Sequence, residues 1–176
     1  MTDSPQQSTI LVKTTREDHV IAWLAALAIS IHVIESALPS PVPGIKPGLA
    51  NVITIAVLCT YGWRSAVWVS LMRVIVGSLI IGTFLSPTFI LSLSGAIASL
   101  CVLGVTSLFP GRVFGPFGYS LLAAMAHMAG QFYIAYLLFI PHPALFSLLP
   151  VLMTAAVIFG TVSGIITTMM LSKIRD

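Results

Sequence analysis

PSPVPGIKPGLAN, residues 39–51, breaks an otherwise strongly apolar chain with four prolines, two glycines and a lysine. Each proline lacks the N–H that a continuing helix needs and pushes the residue before it toward extended backbone. Pro39, Pro41, Pro43 and Pro47 therefore predict a non-helical segment. Helix is expected to resume at Gly48 and to close near Tyr61. That is about 20 Å of helix at ~1.5 Å per residue, against a hydrocarbon core of about 30 Å. Irregular backbone is tolerated at membrane depth only where protein buries it or where it lines a wet cavity. The segment is expected to make up the missing depth and to lie over a polar pocket. An ordinary external loop is the alternative reading.

Composition supports a membrane setting for this break. Of 176 residues, 57% are hydrophobic and 7% are charged, with a mean hydropathy of +1.05. Soluble globular domains carry about 25% charge, so that class is excluded. The chain reads as all-α and polytopic, one domain of six transmembrane helices over 19–172 between polar cytoplasmic tails at 1–18 and 173–176. The run beginning near Val20 reads as a first span and not as a cleaved leader. The formal charge of +3 and pI near 9.1 do not point to nucleic acid, because the basic residues fall singly at the ends of apolar runs. Cys59 and Cys101 sit within apolar runs without metal-ligand spacing and read as small buried hydrophobes.

The spans are expected at about 19–38, 48–61, 65–85, 88–109, 117–140 and 144–171. Gly62–Trp63–Arg64, Ser86–Pro87, Pro110–Gly111–Arg112 and Pro141–His142–Pro143 mark the breaks between them. Basic residues gather on the cytoplasmic side of short loops. With both ends inside, Lys13, Arg16, Arg64, Arg112, Lys173 and Arg175 all fall inside and Lys46 falls outside. This parity places both ends in the cytoplasm and the 39–48 segment on the outer face.

A few polar residues lie inside these spans. A charge at a helix centre costs about 2.5–3.5 kcal/mol on insertion scales, so it normally faces the bundle interior and finds a partner. Arg73 is the clearest case. Outside the tails the one carboxylate is Glu35, since Asp3, Glu17, Asp18 and Asp176 are terminal. A buried Glu35–Arg73 pair locking two helices is one reading. The other is a site in which Arg73 and Lys46 offer positive charge to an anionic or partly anionic ligand, completed by Glu35 and by His32, which lies on the same helical face. His127 and Gln131 are four apart, share one face of the fifth span, and both donate and accept hydrogen bonds. Asn51 opens the second span beside the expected pocket. Ala22, Ala26 and Ser30, spaced by four, make a stripe where another helix can approach closely. Small residues in the later spans, Ser92, Gly95 and Ser99 among them, read as helix packing.

Catalysis by this chain alone is not expected. Diphosphate chemistry of the magnesium type needs clustered carboxylates, and no span holds such a cluster. There is no Gly-rich phosphate loop, and GPFGYS lacks the spacing of a nucleophile elbow. No cofactor or metal is expected.

The run from His32 to Phe84, above all PGIKPGLAN at 43–51 and LMRVIVGS at 71–78, resembles the bacterial Gx transporter family, also labelled heptaprenyl diphosphate synthase component I. That family is in turn similar to the substrate-binding S components of energy-coupling-factor (ECF) transporters. The resemblance implies six helices in a bacterial cell (inner) membrane, a first loop that closes over an outward-facing pocket, with Pro39, Pro41, Pro43, Gly44, Pro47 and Gly48 as that gate, and a small-residue stripe that docks on a coupling subunit. Ala22, Ala26 and Ser30 match that stripe. It also implies uptake of a small molecule driven by ATPase subunits on other chains. The alternative carried by the second label is a non-catalytic membrane accessory subunit of a heptaprenyl or polyprenyl diphosphate synthase, with a prenyl synthase partner. A third reading is a purely structural membrane subunit.

Overall fold

The computed structural model describes residues 14–37, 49–109 and 114–175. Six helices carry the fold: α1 (Arg16–Ala37), α2 (Leu49–Tyr61), α3 (Trp63–Ile81), α4 (Pro87–Ser107), α5 (Pro116–Ile134) and α6 (Leu149–Arg175). A π-helical turn, Ala135–Phe139, extends α5, and a 3₁₀ segment, Pro143–Leu148, leads into α6. No strand occurs among the described residues.

Sequence punctuation sets the ends. α1 begins at Arg16 and not His19, because Thr15 and Asp18 cap it reciprocally. The Thr15 N–H donates to Asp18 Oδ2 at 2.8 Å, and the Asp18 N–H donates to Thr15 Oγ1 at 3.3 Å. Gly62 alone (φ 85°) turns the chain between α2 and α3, so Trp63 and Arg64 belong to α3. α3 stops at Gly82, whose left-handed φ of 78° lets its N–H donate to the Leu79 carbonyl. Ser86 caps α4, and Pro87 occupies its first turn, where a missing N–H costs nothing.

Five stretches are long and apolar enough to cross a membrane: α1, α3, α4, α5 with its π turn, and α6 with its lead-in. The second span expected from the sequence is a shorter apolar helix. At 13 residues α2 is about 20 Å long, and it is the best-covered helix of the bundle. Every residue from Val52 to Leu58 is buried, and α2 packs on α1, α3, α5 and α6. A helix apolar on all sides belongs in the interior. Its residues Ile53, Ile55, Val57 and Leu58 form the main core with Ala28, Val69, Leu103 and Ala123.

Apolar burial gives little drive in lipid, so close backbone packing and interhelical hydrogen bonds carry the rest. A Cβ on Gly130 of α5 would stand 2.6 Å from Ala98 Cβ and 2.9 Å from the Ser94 carbonyl of α4. A Cβ on Gly160 of α6 would stand 2.9 Å from Ala124 Cβ of α5. Ser120 Oγ donates to the Gly160 carbonyl at 3.0 Å across that second contact. These are the packing roles expected of small residues in the later spans.

Candidate functional site

His32 and Glu35 share one face of α1 and meet α3 where Arg73 and Gly77 lie. The close approach depends on Gly77, because a Cβ there would stand 2.7 Å from His32 Cδ2. α4 makes a second seat at Gly95, where a Cβ would come within 2.8 Å of both His127 Nε2 and Gln131 Cγ of α5. His127 Nε2 and Gln131 Nε2 are hydrogen-bonded at 3.1 Å, so Gln131 donates and the imidazole nitrogen accepts.

Electrostatics join the two halves. Glu35 lies within Coulombic range of Arg73, and His127 within range of both Arg73 and His32. The structure therefore brings together five of the residues singled out in the sequence: His32, Glu35, Arg73, His127 and Gln131. Glu35 and Arg73 are each only 5% exposed. Among the described residues nothing accepts a hydrogen bond from the buried Arg73 Nε, and an orphaned donor of this kind costs about 1–3 kcal/mol, more for a charged group. Thr54 Oγ1 of α2 and Ser70 Oγ of α3 are likewise buried without a partner.

Asn51 is half-buried in the first turn of α2. It stands as far before Gly62 as Arg73 stands after it, which puts the two at about the same depth on neighbouring helices. Lys46 and the gate residues Pro39, Pro41, Pro43, Gly44, Pro47 and Gly48 lie outside the described residues. Ala22, Ala26 and Ser30 are not in the site. They are exposed on the outer side of α1, beside the exposed Trp23 and Leu27.

A cavity of about 140 Å³ opens at the end of the bundle opposite the termini. His32, Ser36, Ser78, Thr83, Thr88 and Ser92 form its polar walls, and Val74, Ile81 and Phe89 its apolar ones. Of these, His32 alone was expected as a site residue, and Ser92 had been read as helix packing. Gly77 and Gly95, the seats for the two imidazoles, were not expected as site residues either. The available signal was weak: a glycine three or four residues from a polar intramembrane side chain marks room beside it. Among the described residues no group of three or more His, Cys, Asp or Glu could hold a metal ion.

Membrane-length apolar helices around a short buried one, with an arginine and two imidazoles turned into the interior, define an all-helical polytopic membrane protein with a polar intramembrane cluster. The family profile of heptaprenyl diphosphate synthase component I matches residues 24–170, and the chain belongs to that family. No curated protein and no solved structure matches it.

Proposed function

We propose that this chain is a non-catalytic, membrane-embedded substrate-binding subunit, built like the S component of an ECF-type importer, with six crossings in the cell membrane. The observation that carries the reading is Arg73: a buried guanidinium whose Nε has no acceptor among the described residues, facing a cluster of His32, Glu35, His127 and Gln131. Buried charges in membranes are costly and mark ligand or ion sites by default. An anionic or partly anionic small molecule supplies the missing acceptor. Asn51 and, on sequence grounds, Lys46 complete the site, and the 39–48 segment is its gate. The open stripe of Ala22, Ala26 and Ser30 is where a coupling subunit docks, with ATPase subunits behind it.

The family description favours a second reading, an accessory subunit of a heptaprenyl diphosphate synthase, with a soluble synthase as partner. Native mass spectrometry of the gently purified protein from its own host separates the two. A retained metabolite with a coupling subunit, the metabolite being lost in a folded Arg73→Ala variant, is the expected result. A prenyl synthase partner with no small-molecule adduct would overturn the importer reading in favour of the second.

A further inference from the structure

The cavity between the outer ends of α1, α3 and α4 differs in chemistry from the Arg73 cluster. Five hydroxyl side chains and one imidazole line it, and among the described residues no carboxylate, ammonium or guanidinium does. The hydroxyls are also disposed unusually for this chain. Elsewhere Thr60, Ser65, Thr106, Thr167 and Thr168 donate to carbonyls of their own or the preceding helix, the usual way a membrane helix satisfies Ser and Thr. Thr83, Thr88 and Ser92 make no side-chain hydrogen bond with any described residue, so their protons are available to the cavity. Ser36 and Ser78 are the complement: their Oγ atoms donate to the His32 and Ile75 carbonyls of their own helices, each at 2.8 Å, which leaves their oxygen lone pairs as acceptors. Donors and acceptors thus face one space of about 140 Å³, close to the roughly 150 Å³ that accommodates benzene in an engineered cavity. One wall is the ring of Phe89, buried and held by Phe84 at a centroid distance of 4.9 Å.

We infer that this cavity binds an uncharged six-membered ring bearing both hydrogen-bond acceptors and donors. A ring of that size fills the space, and its face packs on Phe89. A charged group is disfavoured there because no described side chain of the lining supplies a counter-charge. The inference rests on the substrate-binding reading and deepens it. The neutral ring of the ligand sits in the hydroxyl-lined cavity, and any anionic group it carries goes to Arg73, with His32 forming a wall of the first and lying within electrostatic range of His127 in the second.

The test uses the full chain in lipid nanodiscs with uracil and 2-pyridone as neutral ring probes, read by saturation-transfer NMR. Both are expected to bind saturably. Thr88→Val, at an exposed position, and Ser92→Ala should each weaken binding about 3–10-fold, the loss of one neutral hydrogen bond. Thr154→Val, which removes an exposed hydroxyl of α6 outside the cavity, should leave it within about 2-fold. No saturable binding of either probe up to its solubility limit would overturn the inference, as would binding that ignores Thr88→Val and Ser92→Ala or that Thr154→Val weakens equally. The importer reading fails separately, by the absence of a native adduct and coupling subunit. A native adduct released by Arg73→Ala but retained by Thr88→Val and Ser92→Ala would leave that reading standing and remove this one.

Discussion

Arg73 and Glu35 share one buried region, and their relation decides how the cluster holds together without ligand. Neither side chain reaches bulk water to any extent, so each charge depends on its neighbours. Glu35→Gln takes the carboxylate away from the guanidinium and is expected to destabilise the protein by about 3–5 kcal/mol. Glu35→Gln combined with Arg73→Gln should recover most of that loss, because no uncompensated charge remains. Unfolding of the two single variants and the double variant in detergent micelles measures the coupling. Strictly additive losses would show that the two residues are not energetically paired, and would leave ligand binding as the reason for both charges. These residues were legible in the sequence because of their cost. A charge inside a span has to point inward, so residue type alone placed Arg73, Glu35 and the two histidines in one region.

At the scale of elements the legible and illegible parts separate on the same physics. Proline and glycine act on the backbone wherever they sit, so the breaks at Gly62, Ser86–Pro87 and Pro143 could be read directly, whereas the stop at Gly82 fell inside the expected third span. Rotation of an apolar helix about its own axis could not. Lipid tails are as apolar as the bundle interior, so Leu and Ile do not say which face turns inward. That is why Ser92 read as packing although it lines the cavity, and why the cavity itself had no signature. The stripe on α1 is the reverse case: its spacing was visible, and the structure leaves it uncovered. Ala26→Trp tests what that exposure is for. The side chain meets nothing in the isolated chain, so stability should change by no more than about 0.5 kcal/mol. Co-purification of a coupling subunit should fall roughly 10-fold or more, because a bulky ring prevents the close backbone approach that small residues permit. Undiminished co-purification would place the docking surface elsewhere.

For the whole molecule the deciding helix is α2, the one too short to be counted as a span by length. Five crossings would put the two ends of the chain on opposite sides, whereas six put them on the same side. The basic residues argue for six, since Arg64 follows α2 directly and shares a side with Arg16 only if α2 crosses. Single cysteines at exposed positions test the parity in a background carrying Cys59→Ala and Cys101→Ala. Thr15→Cys, Leu85→Cys and His142→Cys report the lead into α1, the α3–α4 connection and the α5–α6 connection. With α2 crossing, a membrane-impermeant maleimide added to intact cells should label Leu85→Cys and His142→Cys and should reach Thr15→Cys only after lysis. If α2 does not cross, Thr15→Cys, Leu85→Cys and His142→Cys share one side, and all three should be labelled together or protected together until lysis. The result bears on function as well as topology, because Thr83 and Thr88 stand on either side of Leu85. Outside labelling of Leu85→Cys means that the hydroxyl-lined cavity opens toward the medium from which an importer must take its ligand.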